Sequence, residues 1–166
     1  MGILTKLVEL EKIERAAELA RKAVFKSEGQ ELVGKLHDLF EQEISELEDF
    51  VLIGDYQKPV GFYARNNPFG EKEAHLCNRH SGDMNLPTGV CFRLGQQIMP
   101  ISIELQVVEP TQSMPLHVLL LKHVQGGYGG ESTLKRFEAG TDPHVMLEAM
   151  FGELTPFIYM AEDELK

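Results

Sequence analysis

Residues 23–36, AVFKSEGQELVGKL, join two amphipathic stripes, and the reading of Ser27-Glu28-Gly29 at their junction decides the fold. Upstream, Ile3, Leu10, Ile13, Ala17, Ala20 and Val24 recur mostly at three-and-four spacing, with Lys6 interrupting the series. Downstream, Val33, Leu36, Phe40, Glu43 and Leu47 continue at the same spacing. Each series draws one stripe along a helix. Serine, glutamate and glycine between them offer a turn, so the sequence predicts an αα-hairpin over residues 1–49. The small Ala17 and Ala20 would let the second helix approach closely. Heptad-like seams of this kind close equally well within one chain or between two, so the pattern is also compatible with a homodimer.

Past Phe50 the texture changes to short β-rich segments punctuated by Gly, Pro and Asn, at 50–53, 60–65, 75–79 and 90–94. The clearest strand is 101–107, where Ile101, Ile103, Leu105 and Val107 alternate with Ser102, Glu104 and Gln106, which predicts one buried and one wet face. Residues 116–124 are apolar on both faces except for His117, Lys122 and His123, as expected of a more central strand. Four glycines in 126–130 read as a flexible loop. Thr141 and Asp142 before Pro143 resemble a helix start, with a short helix over 143–151, a stop at Gly152 and a last strand at 157–160. Helices and strands are segregated along the chain and do not alternate. The expected fold is therefore α+β, an N-terminal helical hairpin packed on a mostly antiparallel sheet of five or six strands, with a short C-terminal helix. The chain is expected to be a single domain over 1–166, with the hairpin at 1–49, the sheet at 50–126, and the C-terminal helix and short strand at 131–166.

At 166 residues, 43% hydrophobic and 25% charged, the composition is that of a globular protein able to support one core. No apolar run approaches the roughly 18 residues of a spanning helix, and the first ten residues resemble neither a secretory nor a transit segment. Two cysteines, Cys77 and Cys91, are too few for a disulfide scaffold, and the expected location is the cytoplasm. A net charge of −10 without a basic cluster argues against nucleic acid and against an anionic membrane surface.

Most of that charge lies in one place. Residues 28–49 hold eight acidic side chains against one lysine, seven of the ten net negative charges. A helical wheel divides them into an outward set, Asp38, Glu41 and Glu48, and an inward carboxylate, Glu43, among Leu32, Leu36, Leu39 and Leu47. An inward carboxylate needs a basic partner, a histidine or a metal, unless the helix is tilted so that Glu43 reaches its edge. The outward set suits a basic protein surface, where opposite charge accelerates association. The leading expectation is a non-enzymatic interaction protein of inhibitor, immunity or chaperone type, binding a basic partner through 28–49.

The other constellation is His75, Cys77, His80 and Cys91. On a strand, His75 and Cys77 share a face about 6.6 Å apart, and a turn near Met84 would set Cys77 opposite Cys91. Four such ligands would close a tetrahedral zinc site, and three plus water would leave a catalytic one, so a metal-dependent hydrolase is the alternative. The spacing matches no specific zinc pattern, and buried free cysteines fit it as well. A Cys–His nucleophile oriented by Asp83 lacks any signature such as a nucleophile elbow. His117 and His123 lie about 20 Å apart on one strand face, so only one of them could join the cluster, with His117 expected to be the better placed. A ligand pocket between helices and sheet would draw on Glu43 and His117.

Overall fold

The computed structural model describes residues 2–51, 73–76, 86–94, 101–124 and 130–153, and within these the side chains outside 44–51, 73–76, 92–94, 101 and 124. The two N-terminal stripes form one continuous helix and not a hairpin. Helix α1 (Ile3–Val24) passes through a π-helical turn, Phe25–Gly29, directly into α2 (Gln30–Val51). Val24, Phe25 and Gln30 all keep right-handed helical torsions. At about 1.5 Å per residue the whole rod is about 70 Å long.

Ser27 and Gly29, which suggest a turn in the sequence, serve the helix here. Ser27 Oγ donates back to the Ala23 carbonyl at 2.9 Å, a bond that satisfies the hydroxyl without leaving the helix. Gly29 lies beneath the ring of Phe25, and a Cβ at this position would stand 2.9 Å from Phe25 Cδ2. Glycine is present to admit a ring, which a helix-stop reading does not foresee. The body-facing positions Arg21, Phe25, Gly29 and Val33 are spaced by three successive fours, about one residue more than a 3.6-residue repeat carries over that span. A π turn absorbs one such extra residue and keeps the stripe on one side.

The sheet is antiparallel throughout, in the order β1-β2-β3-β4-β5. Four strands of six to eight residues, β2 (Gly89–Leu94), β3 (Ile101–Val108), β4 (His117–Val124) and β5 (Glu131–Glu138), carry it, and the four-residue β1 (Glu73–Leu76) pairs with the outer side of β2. Segments 60–65 and 157–160, expected as strands, lie outside the described residues, and Phe50 and Val51 of the expected 50–53 strand belong to α2. Strand β5 has no counterpart among the expected strands. Its side chains are exposed except for Phe137, as befits an edge, so it lacks the apolar alternation by which strands are recognised. Residues 126–129 of the glycine-rich segment lie outside the described residues, between the hairpin partners β4 and β5.

One face of the sheet carries Val90, Ile103, Leu105, Val107, Val118, Leu120 and Phe137. On it lie Phe25, Leu32, Val33, Leu36 and Phe40 of the long helix, with Met146, Leu147 and Met150 of α3 (residues 143–153). Each such fully buried side chain stabilises by about 1.5–3 kcal/mol, so residues 25–40 anchor the rod, whereas α1 buries no residue at all. Phe40 and Phe151 stack in parallel at 5.9 Å and join α2 to α3, and Gln30 Nε2 donates to the Pro87 carbonyl at 2.8 Å beside β2. Gly89 allows β2 to close on β3, because a Cβ there would run into the Leu105 carbonyl oxygen. Helix α3 starts as its sequence suggests and is described through residue 153, past the expected stop at Gly152. No helix among the described residues is long and apolar enough to cross a membrane.

The start of α3 gives the fold a pH dependence. Asp142 Oδ1 accepts the His144 backbone N–H at 3.0 Å and lies 3.1 Å from His144 Nδ1. These two bonds, the backbone one first, hold the Asp142 carboxyl below its usual pKa. A depressed folded-state pKa contributes stability above the unfolded value that is lost as pH falls through the folded one. Asp142→Ala is therefore expected to lower the melting temperature at neutral pH, and the gap from the parent should close as pH drops below the ordinary aspartate range. Thermal melts across pH 7 to 2 measure this, and a gap constant with pH would contradict the cap.

Candidate functional site

The outer side of α2 presents the acidic residues on a fixed frame, because the side opposite is held in the core. Asp38 is 86% exposed and Glu41 58% exposed, while Leu36 and Phe40 beside them are fully buried. His37 lies between them, its Nε2 3.5 Å from Glu41 and its Nδ1 4.0 Å from Asp38. Lys35, the one cation of the segment, already pairs with Glu31 at 3.3 Å. Glu48 belongs to α2, and its side chain lies outside those described.

Glu43 does not need the internal partner that an inward position demands. It is exposed and lines a cleft of about 420 Å³ between α2 and α3, with Leu39, His144, Leu147, Glu148 and Phe151. A wheel gives a direction around the axis but not how far the body extends along it. Core burial on α2 is described as far as Phe40, and Glu43, pointing the right way, lies one turn past it. His117 is not part of this cleft. Its ring is buried, and Nδ1 donates to the Pro115 carbonyl at 2.8 Å, which fixes the proton on that nitrogen.

The cysteine–histidine cluster takes a different register from the expected one. Cys91 has His75 opposite it on β1 and Glu104 opposite it on β3, so Cys77 is not its cross-strand partner. Cys77 and His80 lie outside the described residues. In an antiparallel sheet, opposed residues share a face, which puts Cys91, Glu104 and Leu121 in one row on the side away from the helices, with His75 at the register position opposite Cys91. That side is not the wet face expected from the alternation of β3. Leu121, Cys91 and Glu104 are 2%, 6% and 9% exposed.

Of the two β4 histidines, His123 is the nearer to this row. It lies two residues from Leu121 and opposite Ser102, whereas His117 is four residues away in the other direction. Nδ1 of His123 and Oγ1 of Thr88 are buried and find no hydrogen-bond partner among the described residues. Glu104 and His123 therefore belong with this row, and the sequence offered little to show it. Alternation marks Glu104 as the polar side of its strand, and nothing within β3 itself reveals that this side is covered. Among the described residues, no three His, Cys, Asp or Glu side chains group closely enough to hold a metal ion.

Comparison of the chain with protein-family models, with curated proteins and with solved structures finds no match.

Proposed function

We propose that the chain is a non-enzymatic, cytoplasmic interaction protein of inhibitor, immunity or chaperone type, which binds a basic protein partner through the outer side of α2. The observation that carries this reading is the exposure of Asp38 and Glu41 on a helix whose opposite side is locked into the core. A rigid frame keeps the spacing of the charges fixed before encounter, so little side-chain and backbone order has to be gained on binding. Unbalanced negative charge on such a frame attracts a basic surface over a Debye length and repels acidic ones. Exposed charges at this distance from the core contribute to association rate more than to stability.

Reversal of charge tests the reading. The double variant Asp38→Lys/Glu41→Lys should fold as the parent does. As bait at low salt, it should fail to retain basic proteins that the parent retains, and the parent should lose the same proteins at high salt. Retention that is equal for parent and variant, or indifferent to salt, would remove the acidic surface as the binding element.

A second reading, a zinc protein and in its strongest form a metal-dependent hydrolase, is favoured by one observation, the strand register that sets positions 75, 91 and 104 opposite one another on three adjacent strands. Neighbouring strands lie about 4.8 Å apart, a spacing that lets side chains from two of them reach one ion. In this reading Cys77 and His80 would complete the set. Protein purified without an affinity tag should then carry close to one equivalent of zinc, and Cys91→Ser should lower that content. Less than about a tenth of an equivalent, with no uptake on addition, would end the reading.

A further inference from the structure

Helix α1 meets the protein through charged residues and leaves large apolar ones exposed along its length. Glu14, Glu18, Arg21 and Lys22 line a cleft of about 460 Å³ with residues 109–113 of the β3–β4 connection. Hydrogen bonds from Gln112 and Arg21 hold the Glu14 carboxyl below its usual pKa. The seam Ile3, Leu10, Ile13, Ala17 and Ala20 lies roughly a quarter-turn around the helix from that contact. Ile3, Leu10 and Ile13 are 81%, 62% and 65% exposed, although each is a residue type that water disfavours. With the helix continuous through Gly29, α2 cannot fold back to cover them.

We propose that this seam is the contact between two copies of the chain, with the α1 helices paired antiparallel and Leu10 of each lying against Ile13 of the other. Two features of the helix select a second copy as the occupant. The first is charge. In a chain of net charge −10, α1 holds five basic and four acidic residues, so two acidic chains can meet along it without the repulsion that the acidic side of α2 would impose.

The second feature is size. The seam is large at its N-terminal end, with Ile3 and Lys6, and small at its C-terminal end, with Ala17 and Ala20. Antiparallel pairing about Leu10 and Ile13 sets Ile3 over the copy's Ala20 and Lys6 over the copy's Ala17, each large side chain on a small one, in a self-complementary two-fold contact. Parallel pairing would set Lys6 against Lys6 and leave the alanine end underpacked. An overlap of residues 3–20, about 27 Å of helix, buries on the order of 1,000 Å², the lower bound of specific interfaces, so the dimer should exchange with monomer at micromolar concentrations. This contact is separate from the acidic side of α2 and goes beyond the proposed function.

Sedimentation equilibrium of the full chain at physiological salt tests the contact. The average mass should rise from that of the 18.7 kDa chain toward twice that value between about 1 and about 100 µM. Ile13→Glu and Leu10→Lys should each weaken association at least ten-fold and leave the circular dichroism unchanged, since both positions are exposed. In a background with Cys77 and Cys91 replaced by alanine, Ile3→Cys/Ala20→Cys should oxidise to a covalent dimer faster than Lys6→Cys. A monomer at about 100 µM, a dimer indifferent to Ile13→Glu, or faster cross-linking through Lys6→Cys would each overturn the proposal.

Discussion

The ring of Phe25 lying over Gly29 is the contact on which the rest of the architecture depends. Phe25 is fully buried, and the glycine one turn on gives its ring room against the helix backbone. Without a π turn here, a stripe repeating every 3.6 residues would drift away from the sheet between Arg21 and Val33. With it, a single rod keeps Phe25, Val33, Leu36 and Phe40 in one core, with α2 lying over β1 and β2. The same continuity commits α1 to extend past the core, because a helix that does not turn back cannot cover its own N-terminal half.

The two halves of the rod therefore play different physical parts. Residues 25–40 are held by buried apolar area, and this rigidity fixes the acidic side chains on the outside of α2. Helix α1 has no buried residue and keeps its form through continuity with α2 and through ion pairs such as Arg15 with Glu11 at 3.1 Å and Lys22 with Glu18 at 3.6 Å. Such pairs contribute about 0.2–0.5 kcal/mol each, enough to support a helix already nucleated but not to replace burial. An outward acidic side on one half and an outward apolar seam on the other are what a protein built for contacts with other chains would present.

The sequence announces the elements far better than it announces how they meet. Alternation in 101–107 and the apolar run of 116–124 correspond to β3 and β4, and Asp142 before Pro143 marks the start of α3, because these signals are local and physical. The hairpin reading failed because Ser-Glu-Gly has the same composition in a turn as in a helix that needs a glycine beneath a ring, and only the fully buried Phe25 decides between them. Strand β5 went unseen because an exposed edge strand carries no core face to read. The wheel left Glu43 open between an inward site and the helix edge because it has no axial coordinate, and Glu104 was misread because alternation tells the two sides of a strand apart without telling whether both are covered.

The continuity of the helix through Gly29 is the claim from which the open α1 seam and the rigid acidic platform both follow. Spin labels at Lys12→Cys and Glu41→Cys, with Cys77 and Cys91 replaced and the labelled chain diluted into unlabelled protein, report it directly by pulsed electron–electron double resonance. A continuous helix places these positions about 40 Å apart. A separation under about 20 Å, as two packed antiparallel helices would give, would contradict the account.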